Sequence, residues 1–427
     1  MTTSALRRRL GLLDAITIGM SSMLGAGVFV AFAPAAGAAG PALLLALGVA
    51  AVVAYCNAAA SAQLAALYPE SGGTYIYGRE RLGRWAGFVA GWCFISGKLA
   101  SCAAMALAFG LYLAPGYAKA LAVAAVVVLT VLNILGVRRT ALVSRILLAL
   151  TLITLAVVAV LCFSGPGFDG SGLSSSAALS GDAAPPWAAL IPGLGIFQAA
   201  GFLFFAFAGY ARIATMGEEV RNPQRIIPAA IFIALAATLG IYLLLASGLL
   251  RALGPLGLAE SATPLLEIGQ QAGWGPLIVV GASAASLGAL LALIAGVSRT
   301  SLAMARHRDL PSPLAAVGGR FGTPHRAEIA VALLVIVLIL TTDVLTIVGY
   351  SSCGVLIYYG VTNLSALTLS ERRWHTPRAI NLLGCVGCLI LAFTLPTQSV
   401  VWMIVLLTLG CLARASVLSW RTKVRKK

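Results

Sequence analysis

Charged residues are scarce in this chain, and acidic residues are the scarcest of them. Only 10% of the 427 residues are Asp, Glu, Lys or Arg, and 13 of these are acidic. A water-exposed surface of this extent carries far more charge. Hydrophobic residues make up 60% of the chain and recur in runs of about 20, the length that crosses a bilayer. The composition excludes a soluble globular protein and predicts an all-α polytopic membrane protein.

Residues that commonly perform catalysis or bind metals are also few. The three histidines, His307, His325 and His375, are scattered over predicted inner loops, and the sequence has no nucleophile motif, phosphate-binding loop or dinucleotide fingerprint. Cys385 and Cys388 have the spacing of a zinc or redox motif but no nearby histidine, so packing is the better interpretation. A membrane enzyme would need His, Asp or Glu inside its spans. The sequence therefore predicts no enzyme, no metal and no cofactor.

Twelve apolar segments are predicted to be transmembrane helices, the ninth being the shortest. They are 13–36, 41–66, 84–113, 117–135, 140–163, 190–216, 228–250, 275–303, 327–341, 344–369, 378–395 and 399–418. Residues 1–12 precede them, and the basic segment 421–427 follows.

Positive charge predicts the orientation of these spans. With the N-terminus in the cytoplasm, 25 of the 29 Lys and Arg fall on the inner side, and the outer loops hold only Lys119 and Arg251. This asymmetry is the positive-inside pattern, and it predicts cytoplasmic termini in the cytoplasmic membrane. It also explains the net charge of +16 without nucleic acid, since no basic patch with an aromatic platform is present. The tail 421–427 is either a stop-transfer flank or a contact with anionic lipid.

Two of the predicted helices carry glycines where a continuous helix is expected. Gly25 and Gly27 interrupt the first span, and Gly209 interrupts the sixth. A broken membrane helix leaves backbone groups without partners, which is tolerated where those groups line a cavity. The N–H groups of Gly25, Ala26 and Gly27, with the carbonyl of Met23, suit the carboxylate and ammonium of a small zwitterion. The alternative is an ordinary span, because glycine is common in membrane helices.

The positions of the two breaks predict an internal repeat. If the first and sixth spans each open a unit, five-span repeats occupy 13–163 and 190–369, and two further helices occupy 378–420. Spans 1 and 6 run in opposite directions in the predicted topology, so the repeats are inverted. Secondary transporters commonly have this arrangement, with the substrate site between the breaks. A channel would instead show ring-forming polar repeats or a filter motif.

Five segments, in order along the chain, carry motifs of one transporter family. They are "IGMSSMLGAGVF", "AQLAALYPESGGTYIYGRERLG", "FFAFAGYARIATMGEEVRNPQRIIP", "SATPLLEIG" and "SRTSLAMARHRDLP". Together they resemble the amino acid–polyamine–organocation (APC) superfamily, in its amino acid transporter branch. The resemblance implies twelve spans, the five-plus-five inverted-repeat fold of the leucine transporters with discontinuous helices 1 and 6, and transport of amino acids or polyamines.

The resemblance also implies a substrate site at the first break. The segment that would contact the common part of the substrate, chiefly through main-chain atoms, runs from residue 22 to residue 27 and includes Ser22, Met23, Gly25, Ala26 and Gly27. In the sixth span, the carbonyls of Phe205 and Ala208, beside Gly209, would accept the amino group.

Three side chains near the sixth break have open or altered roles. The ring of Phe205 is either an aromatic gate over the substrate or a packing residue. Many relatives have an acidic residue at the position of Ala211, so a scheme that uses that acid is excluded here. Arg212 either lines the inner vestibule or caps the helix end through Glu218 or Glu219.

Lys98 lies near the centre of the predicted third span. Either end is about 20 Å away at ~1.5 Å per residue, too far for the side chain to reach water. An unpaired ammonium in lipid costs at least ~3 kcal/mol. We therefore expect Lys98 to meet a polar cavity, a bare carbonyl or a substrate carboxylate, or to be neutral part of the time. It is either a static structural charge or a coupling residue, because burial disfavours the charged form.

The resemblance also bears on which ion is coupled to transport. Some proton-coupled relatives have a lysine in the fifth span, at or near Thr151 here, and Lys98 would substitute for it. Sodium-coupled relatives use paired hydroxyls in the eighth span, where "GALLALIAG" has none and Ser298 lies beyond.

The predicted function is secondary active transport of amino acids by alternating access, with proton symport or exchange. Neutral amino acids are favoured, since a fixed positive charge disfavours cations. The alternative is a polyamine or amine permease or antiporter. The expected partners are the substrate, protons and membrane lipid; neither nucleic acid nor an obligate protein partner is predicted.

Overall fold

The computed structural model describes residues 10–165, 193–318, 322–341, 344–370 and 377–425. Within these ranges the chain consists of α-helices, short 3-10 turns and two isolated bridges, without a strand. The predicted N-terminal segment before residue 10 and the last residues of the basic tail lie outside the described residues. The prediction of an all-α polytopic membrane protein is confirmed.

Seventeen α-helices are present in the described part of the chain. They are α1 (Leu12–Met23), α2 (Ala26–Val30), α3 (Phe32–Ala39), α4 (Leu43–Leu67), α5 (Thr74–Arg81), α6 (Arg84–Leu113), α7 (Ala118–Ile134), α8 (Val137–Ser164), α9 (Leu194–Phe207), α10 (Ala211–Ala214), α11 (Pro223–Glu260), α12 (Pro264–Gln271), α13 (Gly275–Arg306), α14 (His325–Thr341), α15 (Val344–Leu367), α16 (Arg378–Thr394) and α17 (Thr397–Arg425). Among the described residues, nine helical segments are long and apolar enough to cross a membrane.

Each of the twelve predicted spans overlaps one of these helices or, for spans 1 and 6, a broken helix. The third span has the predicted bounds, Arg84–Leu113. The seventh extends ten residues further than predicted, to Glu260, because the chain bends at Gly254 (φ 68°, ψ 172°) before Pro255 and then continues as helix. The short helices α5 and α12 lie between spans and were not predicted.

Burial separates central from peripheral helices. In the most apolar window of each helix, 83% of the residues of α6 and 72% of those of α13 are buried, against 17% in α17. The central pair contains Lys98 and Arg299, two of the buried cations of the molecule. Leucines such as Leu409 and Leu412 on α17 are exposed, as expected of a helix that faces lipid.

The two broken helices pack against one another in opposite directions. A Cβ on Gly19 would contact Ile213, one on Gly209 would lie 2.5 Å from the Met23 nitrogen, and one on Gly27 would lie 2.8 Å from the Ala206 Cα. Residue numbers therefore increase along the first span in the direction in which they decrease along the sixth. Two inverted repeats require this antiparallel packing; the repeat boundaries themselves stay a prediction.

Candidate substrate site

The first span is broken between α1 and α2. Leu24 N ends α1 with a bond to Met20 O (2.7 Å), and the first bond of the outer half is from Val28 N to Gly25 O (3.3 Å). The outer half continues into α3, since Ala31 N donates to Gly27 O (2.9 Å). The N–H groups of residues 25–27 thus lie before the first hydrogen bond of the outer half-helix, at its positive end.

The glycines at the breaks are explained by close approach rather than by backbone strain. Gly25 has ordinary dihedral angles (φ −75°, ψ −152°), but a Cβ there would overlap the Cβ of Ala289 on α13. A Cβ on Gly209 would overlap the backbone of Ser22 and Met23. Any side chain at either position would push the first span away from its neighbours.

The sixth span changes from α9 to a 3-10 turn, Ala208–Tyr210, and then to the single-turn helix α10. The carbonyl of Phe205 lies in the last turn of α9, and that of Ala208 lies in the 3-10 turn. The side chain of Phe205 is 5% exposed. The break predicted at Gly209 is therefore present, and its carbonyls lie at the negative end of the outer half of the sixth span.

Tyr242 on α11 joins the two breaks and was not predicted. Its hydroxyl donates to Met23 O (2.5 Å) and lies 3.2 Å from Ala206 O. Its ring packs edge-on against Phe32 and Phe207, with centroids 6.1 and 5.1 Å away. The carbonyl that the sequence assigned to the substrate ammonium thus already accepts a protein hydrogen bond. A lone tyrosine in the aliphatic run of the seventh span was the available signal.

Ser22 contributes a second polar group to the first break. Its hydroxyl is buried and has no partner among the described residues. It lies in the last turn of α1, within one turn of Gly25. A buried hydroxyl without a partner is uncommon in proteins, and this one can donate to a bound carboxylate.

Lys98 lies in the middle of α6 with 3% of its surface exposed. Among the residues that the structure describes, it forms neither a hydrogen bond nor an ion pair. Met105 is seven positions, or two turns, further along the same helix face, and its sulfur would lie 3.4 Å from a Cβ on Gly25. Lys98 therefore shares a face of α6 with Met105 and lies about 10 Å along the helix from it.

The first, fifth and eighth spans meet near the position that the resemblance assigned to a coupling lysine. A Cβ on Gly288 would lie 3.4 Å from the Leu147 Cβ and 3.8 Å from the Ser21 Cβ. The Ser21 hydroxyl donates to Ser144 O (3.3 Å), and that of Thr151 donates to Leu147 O (2.8 Å) within its own helix. Both of these hydroxyls have carbonyl acceptors, whereas the hydroxyl of Ser144 is buried and has no partner among the described residues.

Arg212 belongs to a buried network of charges. It donates to Glu219 (3.3 Å) and to Thr215 (2.9 Å), while Arg299 binds Glu219 (2.6 Å) and Glu328 (2.9 Å). The four charged side chains are at most 2% exposed. Of the two contacts expected at the helix end, the geometry shows the one with Glu219; a vestibule role for Arg212 stays a prediction. Pairing of this kind is what makes buried charge tolerable.

The remaining ion pairs also lie on the predicted cytoplasmic side. Glu218 pairs with Arg306 (3.0 Å), Asp309 with Arg414 (2.8 Å) and Arg79 (3.4 Å), and Asp14 with Arg145 (2.5 Å). All seven ion pairs in the described ranges are therefore on one side of the molecule. They connect the ends of spans 1, 5, 6, 8, 9 and 12 and the short helix α5.

Tyr75 on α5 also belongs to this side. Its hydroxyl donates to Asp309 (2.7 Å). Burial, together with this bond to a carboxylate, raises the pKa of Tyr75 well above its usual value. The tyrosine therefore stays protonated and keeps donating to Asp309.

Two broken helices that pack antiparallel inside a polytopic membrane protein, with backbone groups meeting at the breaks, are the architecture of a secondary transporter. A family model for amino acid permeases matches residues 10–411. The chain belongs to this family, within the APC superfamily. It is a transporter of amino acids and not an enzyme.

Individual relatives agree with this assignment. An uncharacterized transporter of Mycobacterium tuberculosis is 54% identical over 399 residues, which cover 92% of this chain and 88% of the relative. The branched-chain amino acid permease BcaP of Bacillus subtilis is 24% identical, covering 95% of this chain and 92% of the relative. The human cationic amino acid transporter 4 is 27% identical, covering 88% of this chain and 61% of the relative.

Proposed function

We propose that the protein is a secondary active transporter that binds an amino acid at the two helix breaks and moves it by alternating access. The observation that carries the proposal is the direct contact of the breaks, with Gly209 lying on the backbone of Ser22 and Met23. Backbone groups of opposite polarity are available on the two sides of this contact, as a zwitterion requires.

Each half of the substrate has a partner in this scheme. The carboxylate binds the N–H groups of Gly25, Ala26 and Gly27, with the Ser22 hydroxyl as a further donor. The ammonium binds the carbonyls of Phe205 and Ala208. These contacts recognise what all amino acids share, so the selection among side chains lies elsewhere.

Neutral amino acids are the proposed substrates. Lys98 is buried, lacks an acidic partner among the described residues and shares a face of α6 with Met105, whose sulfur lies beside Gly25 at the break. A positive charge there raises the energy of a cationic substrate nearby. The names of the relatives leave the class open, because one is a cationic transporter and another a branched-chain permease. A polyamine permease or antiporter is the alternative.

Proton coupling through Lys98 is the proposed energy source, with the protein in the cytoplasmic membrane and both termini inside. A buried lysine can release and regain a proton between states, because burial disfavours its charged form. Sodium is disfavoured because the eighth-span segment 288–296, where sodium-coupled relatives use paired hydroxyls, has none.

Uptake into liposomes containing the purified protein tests the proposal. Neutral, acidic and cationic amino acids and putrescine are screened while the pH and sodium gradients are varied separately. We expect a neutral amino acid to accumulate against its gradient when the outside is acidic, with or without sodium. Robust arginine or putrescine uptake that is unaffected by Lys98→Ala would overturn the substrate class. Sodium-driven uptake at constant pH would overturn the coupling, and flux without accumulation would indicate a channel.

A further inference from the structure

A second polar cluster lies on another side of the sixth-span break. It consists of Asn57 on α4, Tyr210 in the 3-10 turn, Tyr359 and Asn363 on α15, and Cys388 on α16; we call it the Asn57 cluster. Four of the five residues have at most 1% of their surface exposed, and Cys388 has 2%. Gly209 of the same turn faces the first span, so the cluster is separate from the proposed substrate contacts.

Part of the cluster is well bonded. Asn363 Nδ2 donates to Asn57 Oδ1 (2.6 Å) and to the carbonyl of Tyr359 (3.0 Å), and the Cys388 thiol donates to Asn57 Oδ1 (3.3 Å). Gly384 makes this arrangement possible, because a Cβ there would lie 2.8 Å from Asn363 Nδ2 and closer still to the rest of the amide.

The other polar atoms of the cluster have no partner in the described part of the protein. They are Asn57 Nδ2, Asn363 Oδ1 and the hydroxyls of Tyr210 and Tyr359. The two tyrosine rings lie 4.9 Å apart, tilted by 33°. The Tyr210 hydroxyl neighbours both the Tyr359 hydroxyl and the Asn57 side chain, but it does not reach hydrogen-bond geometry with either. Three of these atoms, Asn57 Nδ2 and the two tyrosine hydroxyls, therefore lie near one another in one buried place, and Asn363 Oδ1 lies beside Gly384.

The chemistry of these four atoms specifies the ligand. One is an amide donor, one is an amide acceptor, and the two hydroxyls can donate or accept. The set mixes hydrogen-bond donors with acceptors and carries no charge, so it does not suit an ion. Water makes about three hydrogen bonds at buried sites and fills this role widely in proteins. Lipid supplies no such partner to a span.

We propose that the Asn57 cluster is a binding site for buried water, holding at least one molecule between spans 2, 6, 10 and 11. The water bonds Asn57 Nδ2 and at least one of the two tyrosine hydroxyls. It also gives the 3-10 turn of the sixth span a polar partner on the side away from the first span. The turn is then hydrogen-bonded through a small ligand that can reorient. A side chain fixed in place could not reorient in this way.

The sign of a stability change tests this proposal. Tyr359→Phe removes one hydroxyl from the cluster. If water is bound there, the variant loses a hydrogen bond, and its melting temperature in detergent falls by about 2 °C or more. If the site is dry, the variant loses only an unpaired buried hydroxyl, and its melting temperature is unchanged or rises. The latter result would overturn the proposal.

Tyr358→Phe is the matched control. Tyr358 is the adjacent residue on α15 and equally buried, and its hydroxyl accepts a bond from Thr74 N (3.1 Å). Loss of the Tyr358 hydroxyl is expected to lower the melting temperature whether or not the Asn57 cluster holds water. This control shows that the assay detects the loss of one hydroxyl.

A high-resolution density map of the full-length protein separates water from a direct tyrosine–tyrosine bond. We expect density within hydrogen-bond distance of Asn57 Nδ2 and of at least one of the two hydroxyls. A direct bond between the Tyr210 and Tyr359 hydroxyls, with no such density, would refute the water site even if Tyr359→Phe were destabilising.

Discussion

Gly209 lies directly on Met23: a Cβ on the glycine would come within 2.5 Å of the methionine backbone nitrogen. Each residue belongs to a different broken helix, and they are 186 positions apart in the sequence. The contact brings the last turn of α1 against the 3-10 turn of the sixth span. The first prediction follows from the absence of space between them.

Gly209→Ala is expected to reduce uptake at least about tenfold, because the methyl group must displace the Ser22–Met23 backbone from which the site is built, and small misplacements of binding groups are costly. Gly240→Ala on α11 is the matched control, since a Cβ there meets nothing within 4 Å and alanine favours helix. Initial uptake rates at equal amounts of folded protein measure the effect. Wild-type uptake by Gly209→Ala would contradict the proposed site.

Tyr242→Phe is expected to destabilise the protein by about 1 kcal/mol, because the two break carbonyls lose a hydroxyl donor. Tyr112→Phe is the comparison: that tyrosine is also buried, but its bond to the carbonyl of Phe29 is long at 3.4 Å. Thermal melting in detergent gives the ranking of the two variants. Equal destabilisation by the two substitutions would mean that the short hydrogen bond of Tyr242 stabilises the protein no more than the long bond of Tyr112.

Lys98→Met is expected to abolish the stimulation of uptake by a pH gradient while leaving exchange of substrate across the membrane measurable. Lys98→Arg is expected to behave in the same way, because arginine stays charged and cannot release a proton. Lys119→Met is the control, since that lysine is exposed and bonds the Leu340 carbonyl at 3.2 Å. Uptake with and without the gradient is compared in liposomes. Retained stimulation in Lys98→Met would assign Lys98 a structural role.

Arg299→Met is expected to destabilise the protein by about 3–5 kcal/mol, because it leaves Glu219 and Glu328 buried without their partner. Arg306→Met, which breaks the partly exposed pair with Glu218, is expected to cost less than about 1 kcal/mol. Denaturation in detergent at two ionic strengths measures both. The larger loss should be nearly independent of salt, because buried pairs are poorly screened; equal small losses would contradict the buried network.

Much of the fold was predictable because its signals are local. The third span has the predicted limits, since Gly83 and Pro115 bound an unbroken apolar run. The two breaks were readable because glycines recur at corresponding places in the first and sixth spans, within family motifs; glycine alone is no signal, since α6 contains Gly87, Gly91 and Gly97 and is unbroken.

The rest depends on contacts between residues far apart in the chain. Nothing in the run around Tyr242 indicates that its hydroxyl reaches two carbonyls, one of them 219 positions away. Likewise, in the sequence Arg299 is one of many positive charges predicted on the inner side. In the fold it pairs with Glu219 and Glu328. Such partners become neighbours only when helices pack, so patterns along one segment cannot reveal them.

The first described residue has a practical consequence for experiments. Leu10 N donates to Glu219 O (3.0 Å), and Arg221 N donates to Leu10 O (2.9 Å), so Leu10 is held beside a member of the buried charge network. A fluorescent reporter attached ahead of Leu10 would be tethered within a few residues of that network. Its signal would record, in real time, whether this end of the transporter stays shut or opens during a cycle.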